Sequence, residues 1–165
     1  MKQFCIATVC ICVVSALTLC ARVSGQEKKS PPTPNFTGTW KVNLEKSNYG
    51  PAPAPQSMVY KIEHKEPSLK ITSTRVDDGV TDTVVLNLTT DGKEGSNVVR
   101  GNEVKSKVKW EGVVLWIDSV TTIDGNTFAL KDKWNLSEDG KTLNWARHFS
   151  GPDGEAEASY VLEIQ

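Results

Sequence analysis

The sequence predicts an all-β protein: an antiparallel up-and-down meander barrel of about ten strands, with no significant helix in the mature chain. Three observations carry that expectation. Apolar and polar residues alternate with a period of two, as in Trp40, Val42 and Leu44 against Lys41, Asn43 and Glu45, the pattern of strands with one buried face. Dipeptides that tolerate positive φ punctuate the alternating runs at Asp78-Gly79, Asp91-Gly92, Gly101-Asn102, Glu111-Gly112, Asp124-Gly125 and Asp139-Gly140, and each proposes a tight hairpin. An open meander of this length would expose edges prone to aggregation, and closing it into a barrel removes them.

Residues 1–25 read as a signal peptide. Lys2 precedes an apolar run from Phe4 to Leu19, and Val23-Ser24-Gly25 supplies small residues for cleavage. The run is shorter than the roughly 20 residues that span a bilayer, so no integral membrane segment is expected after signal cleavage. The protein is therefore expected to be exported, to a periplasmic or extracellular location; a lipoprotein anchored at Cys20 is disfavoured by the bulky Leu19 before it. Residues 26–35, with Pro31-Pro32-Thr33-Pro34, read as a disordered linker, and residues 36–165 as a single β-barrel domain. All 4 cysteines, Cys5, Cys10, Cys12 and Cys20, fall in the signal, so the barrel is held by its core without disulfides. Without Lys2 and Arg22 the chain keeps 17 of its 19 basic residues against 20 acidic ones, a net charge of about −3 that argues against nucleic acid as a partner.

Ten strands are expected near residues 38–44, 57–64, 68–76, 80–89, 95–100, 103–110, 113–122, 126–136, 141–149 and 155–164. Folding at Asp78-Gly79 sets Leu69 opposite Leu88, Ile71 opposite Leu86 and Arg75 opposite Asp82. Folding at Glu111-Gly112 sets Trp110 opposite Val113, Val108 opposite Leu115 and Ser106 opposite Ile117. Asp124-Gly125 then pairs Ile117 with Asp132 and Leu115 with Trp134, and Asp139-Gly140 pairs Trp134 with Trp145, Leu136 with Leu143 and Asp132 with Arg147. On the outer face this register aligns Lys107, Trp116 and Lys133, with Trp116 the one outward tryptophan. The even count lays the last strand, carrying Ala158, Tyr160 and Leu162, antiparallel to the first.

The Phe36-x-Gly38-x-Trp40 opening of this all-strand chain resembles the first strand of lipocalins and fatty-acid-binding proteins, the calycin barrels. That resemblance implies a small secreted barrel whose tryptophan plugs the closed end, and ten strands are more similar to the fatty-acid-binding protein pattern than to the eight of lipocalins. Two departures stand out. The helical lid of fatty-acid-binding proteins is replaced by Glu45 to Gln56, whose Pro51-Ala52-Pro53-Ala54-Pro55 cannot be helical and is expected to form a flap that does not pair with the sheet. Their final-strand Arg-x-Tyr is missing, because Tyr160 follows Ala158 and Ser159.

The candidate ligand-binding residues are Arg147, Asp132, Arg75, Tyr60, Trp145, Phe149 and Tyr160; Arg75, Asp132 and Arg147 are expected to point inward toward the open end beneath the proline-rich segment, whereas Trp145 is expected toward the tryptophan plug. Arg75 with Asp82 and Asp132 with Arg147 read either as structural ion bridges or, at Arg147, as the anchor for a ligand's acidic head beside apolar walls. Arg147 stacked on Trp40 is the alternative that the lipocalin resemblance implies. His64 is the one inward histidine and the sole candidate axial ligand for haem, whereas His148 faces outward. No metal site, cofactor or catalytic residue is expected: there is no second inward histidine, no mature cysteine and no nucleophile elbow. The functional expectation is an exported lipocalin-like protein binding a small hydrophobic or amphipathic ligand and not an enzyme. The alternatives are a ligand-free barrel acting as an envelope or extracellular interaction protein, and a haem-binding barrel or barrel enzyme.

Overall fold

A computed structural model describes residues 33–165; the expected signal peptide and most of the expected linker lie outside the described residues. Ten strands follow one another: β1 (Gly38–Val42), β2 (Ser57–Lys65), β3 (Ser68–Asp77), β4 (Val80–Thr89), β5 (Glu94–Val99), β6 (Asn102–Glu111), β7 (Val114–Ile123), β8 (Asn126–Leu136), β9 (Thr142–Gly151) and β10 (Gly154–Ile164). They form one antiparallel sheet in the order β4-β3-β2-β1-β10-β9-β8-β7-β6-β5, with β1 against β10 as the meander requires. Among the described residues no helix is long and apolar enough to cross a membrane.

Three of the six hairpins form where the dipeptides propose, at Asp78-Gly79, Asp124-Gly125 and Asp139-Gly140. Asp78-Gly79 and Asp124-Gly125 have φ of 47° and 78°, and 50° and 79°, the two positive-φ positions of a type I′ turn whose twist suits a hairpin. The registers follow: Leu69 faces Leu88, Arg75 faces Asp82, Ile117 faces Asp132, and Trp134 faces Trp145. The β6–β7 turn is centred one residue later than expected, on Gly112-Val113, because Glu111 pairs with Val114. Gly112, with φ of 63°, supplies the first central position of a II′-type turn, where glycine is wanted. The register there therefore moves by two: Trp110 faces Leu115, Val108 faces Ile117 and Ser106 faces Ser119. A slip of two keeps every side chain on its face, so the outer row becomes Lys109, Trp116 and Lys133, and the Lys133 ammonium lies 5.6 Å from the Trp116 ring centroid. The β5–β6 turn is centred one residue earlier than the expected Gly101-Asn102, on Arg100-Gly101, with φ of 51° and 84°.

The Asp91-Gly92 hairpin does not form. β4 and β5 are the two ends of the sheet and share no ladder. The backbone groups that such a hairpin would use are taken elsewhere: Thr90 N–H donates to Pro67 O at 2.8 Å and Gly92 N–H to Val108 O at 3.0 Å. Along the resulting seam, the Asn97 carboxamide accepts the Asn87 N–H at 2.8 Å and donates to Asn87 O at 3.0 Å, standing in for a strand partner. Arg100 pairs with Asp82 nearer the open end.

The closed end is the tryptophan plug. Phe36, Trp40, Leu115, Trp134, Leu143 and Leu162 are essentially inaccessible, and Trp40 Nε1–H donates to Phe36 O at 2.8 Å. Phe36 lies 5.8 Å from each of the His64 and Trp110 rings, which are 6.1 Å from one another, and meets Trp134 edge-on at 5.5 Å. Phe36 N–H donates to His64 Nδ1 at 3.3 Å, so the ring proton sits on Nε2, which faces Glu66 Oε1 at 3.0 Å. Trp110 Nε1–H at 2.8 Å and the Thr90 hydroxyl also donate to that carboxylate, so Glu66 gathers the ends of β2, β4 and β6 at one point. His64 is thus a hydrogen-bonded member of the plug.

Partial burial raises the Glu66 pKa, but the hydrogen bonds from Thr90, Trp110 and His64 outweigh it, and the net effect is a carboxyl below its ordinary 4.5. A carboxylate with a depressed folded pKa stabilises fully above its unfolded value and loses that contribution as pH falls through the folded one. Glu66→Gln should therefore lower the melting temperature at pH 7 and lose less stability than the native chain as pH falls from about 5 to about 3, the range in which carboxylates titrate. Melting curves across that range check it; parallel pH profiles for the two proteins would contradict it.

Candidate ligand site

The inner faces of β8, β9 and β10 bring together the polar end of the barrel. Asp132 on β8 faces Arg147 on β9, which in turn faces the small Ala158 on β10. The carboxylate takes Arg147 Nε–H at 2.7 Å and Nη2–H at 2.8 Å, a two-point fork, and Trp145 Nε1–H at 2.8 Å. The Asp132 side chain is 6% exposed and that of Arg147 25%, so the pair is inside the barrel wall but reachable. Burial pulls the Arg147 pKa down, yet the charge and hydrogen bonds of Asp132 more than reverse this, and the guanidinium stays charged. It lies over the Trp145 ring at 4.7 Å and the Tyr160 ring at 6.0 Å. The expected alternative of stacking on Trp40 is not what forms, because Trp40 points into the plug and is held by Phe36 O.

Two chambers meet at Arg147. The inner one, about 300 Å³, is lined by Met58, Tyr60, Ile71, Leu86 and Ile117 among others, with Asp132, Trp145 and Arg147 at one end. The other, also about 300 Å³, lies under the segment after β1 and is lined by Tyr49, Pro51, Phe149, Ala156, Ala158 and Tyr160, again with Arg147. A third hollow of about 400 Å³ sits at the open end between Val99, Val104, Phe128 and Phe149 and shares Leu130 with both. Tyr60 is buried, which raises its phenol pKa; Arg147 pulls the other way, and Tyr60 packs edge-on against Trp145 at 5.0 Å.

Six of the seven sequence-derived residues therefore line these two chambers: Asp132, Tyr60 and Trp145 the inner one, Phe149 and Tyr160 the outer, and Arg147 both. Arg75 stands apart. Although it faces Asp82 across the hairpin, its guanidinium pairs with Asp77, two residues along the same face, and reaches Pro53 O at 3.3 Å. Asp82 is taken by Arg100 across the seam, so the expected Arg75–Asp82 bridge is replaced by two others.

Residues 45–56 depart from the expected unpaired flap. Asn48 N–H donates to Ser159 O at 2.7 Å and Ser159 N–H to Asn48 O at 2.8 Å, a single antiparallel bridge that carries the chain along β10 beyond the end of β1. Asn43 N–H adds a bond to Val161 O at 2.8 Å, and Val161 N–H donates to Ser47 Oγ at 3.0 Å. Tyr49 is buried against Tyr160, 5.6 Å away. Gly50, with φ of 63°, lies so close to β10 that a Cβ there would stand 2.4 Å from Glu157 O, which only glycine avoids. The prolines forbid a helix, but the stretch before them still pairs. Tyr49 is an aromatic lining residue that sequence reasoning missed, as it missed Met58, Ile71, Leu86 and Ile117 of the inner chamber; an aromatic at the start of a proline-rich connection is its signal.

Truncating one partner of a buried fork leaves the other charge unpaired. Arg147→Ala should cost about 3 kcal/mol, the low end for a broken buried pair because Arg147 is partly solvated, and Arg147→Met with Asp132→Leu should recover most of it. Denaturant titration of the three proteins checks this; equal losses in the single and double variants would contradict it.

No protein-family model matches the chain, and no curated protein sequence matches it significantly. Solved structures do. The zebrafish ileal bile acid-binding protein complexed with cholic acid is 19% identical with a TM-score of 0.56, over 79% of this chain and 98% of that one. A secretory abundant heat soluble protein from Ramazzottius varieornatus is 12% identical with a TM-score of 0.55, over 81% and 98%. Secretory abundant heat soluble protein 4 from the same organism is 12% identical with a TM-score of 0.52, over 82% and 99%. At such identities the likeness is one of fold, and it joins the ten-strand antiparallel order seen here: the chain folds as a ten-stranded antiparallel β-barrel like theirs.

Proposed function

We propose that this protein is an exported, lipocalin-like carrier of a small amphipathic acid, whose head group sits at Arg147 and whose apolar body fills the inner chamber. The observation that carries the reading is the position of a charged guanidinium between two chambers, with Asp132 occupying Nε and Nη2 and leaving Nη1 as the edge for a ligand anion. Pockets of a few hundred Å³ with apolar walls and few oriented polar groups are the usual form of small-molecule sites. The zebrafish barrel supports the choice of ligand class, since it is complexed with a bile acid. The reading assigns no catalytic step.

A second reading, a ligand-free barrel acting through its outer surface, is favoured by the same fork, because Asp132 already neutralises Arg147. Titration with cholate and with an uncharged sterol, followed by tryptophan fluorescence, separates the two. The carrier reading expects saturable cholate binding that Arg147→Ala weakens by more than about 1.5 kcal/mol, the scale of a charge-assisted hydrogen bond, with little change for the uncharged analogue. No binding of either compound, or unchanged cholate affinity in folded Arg147→Ala protein, removes Arg147 as the anchor.

A further inference from the structure

The fork at the polar end of the barrel is electrically balanced before any ligand arrives. Asp132 offsets the charge of Arg147, and its three accepted hydrogen bonds use three of the roughly four lone-pair sites of a carboxylate. Oδ1 takes Arg147 Nε–H and Trp145 Nε1–H, whereas Oδ2 takes only Arg147 Nη2–H. Among the described residues, no protein group engages the second lone pair of Oδ2, the Nη1–H groups or the second Nη2–H. What the pair still offers is therefore an acceptor beside a row of donors, with no net charge. The other charges on the chamber linings are matched as well: Arg100 pairs with Asp82, and the exposed Glu157 meets the His148 ring at 2.6 Å. Arg75, on the inner face of β3, pairs with Asp77, and the Tyr60 and Tyr160 phenols beside Arg147 add no positive charge.

We propose that the head group held at Arg147 is a neutral donor–acceptor group, an undissociated carboxylic acid or a primary carboxamide, whose carbonyl oxygen accepts from the free guanidinium edge and whose O–H or N–H donates to Asp132 Oδ2. The proposal rests on the carrier reading and names the form in which that site holds its acid: with a proton, taken up from solvent at neutral pH. A bare anion would set a second negative charge against the Asp132 carboxylate, which is 6% exposed and has no further cation to share. Two carboxyl groups in one buried site hold a proton between them, because repulsion and lost hydration both act against the second charge. An acid or amide head instead presents one acceptor and one donor, matching the donors of Arg147 and the open acceptor of Oδ2, and leaves the complex neutral. A sulfonate carries only acceptors and leaves Oδ2 facing like charge. Acidic ligands are then loaded at low pH and released as pH rises, whereas amides are indifferent to it.

The test is isothermal titration calorimetry of the full chain with decanoic acid, decanamide and decane-1-sulfonate, in buffers of different ionisation enthalpy so that proton uptake is read directly. Decanoate should take up about one proton per molecule bound, and its association constant should fall about tenfold per pH unit from about pH 6 to about pH 8, above the range in which carboxylic acids titrate. Decanamide should bind with no proton uptake and no pH dependence, and decane-1-sulfonate about tenfold or more weaker than the amide at every pH. Asp132→Asn leaves the guanidinium unbalanced, so in that variant decanoate binding should lose its proton uptake and the sulfonate should gain about tenfold or more. Should the variant fail to fold, the three titrations of the native chain decide alone. Decanoate binding without proton uptake or pH dependence, or a sulfonate that binds the native chain as tightly as the amide, overturns the neutral head group while leaving the carrier reading standing. Binding of none of the three compounds refutes the carrier reading and the neutral head group with it.

Discussion

One carboxylate, Asp132, organises the polar end of this barrel. It accepts from two guanidinium nitrogens and one indole, and those three bonds fix both Arg147 and Trp145 against the inner wall. Without it a guanidinium in a mostly apolar interior would be costly, and Arg147 would be drawn toward water. With it, the arginine stays charged between the two chambers, and the rings of Trp145 and Tyr160 can pack on its face. The fork holds a positive charge at a fixed place.

The rest of the fold divides the work between two ends. At the plug, Phe36, Trp40 and Trp134 exclude solvent while Glu66 collects three donors, and the Trp134 indole N–H is left buried without a partner. Glu66 also substitutes for the missing β4–β5 hairpin by drawing Thr90 and Trp110 together from either side of the seam. Farther along the seam only side chains bridge the strands, so cohesion of the wall falls from the plug toward the open end. That gradient is a consequence of where the connection after β4 spends its backbone hydrogen bonds.

Alternation and turn chemistry made most of this legible in the sequence. Strand identity, the inward set and the pairing of Asp132 with Arg147 follow from period two and from turns that leave little choice, such as Asp124-Gly125. Gly112 is harder to read, because a glycine suits the first central position of one turn type and the second of another. Because the resulting shift was two residues, the inward faces survived it. The failed hairpin at Asp91-Gly92 was not legible: its dipeptide is a good turn, but the competing acceptors come from elsewhere in the chain, Pro67 O from the β2–β3 turn and Val108 O from β6. The ion pairs followed reach more than register, as Arg75 shows by taking Asp77 along its own strand instead of Asp82 across the hairpin.

The claim that Arg147 and its Asp132–Trp145 cradle form a ligand's anchoring point is tested most directly by nitrogen-detected NMR of the Arg147 Nε–H and Trp145 indole N–H during titration with cholate. The account predicts that both signals shift and saturate together at one equivalent of bound ligand, approximately, while the indole of Trp116 on the outer face does not move. Saturable shifts at Trp116 with Arg147 and Trp145 unchanged would contradict it.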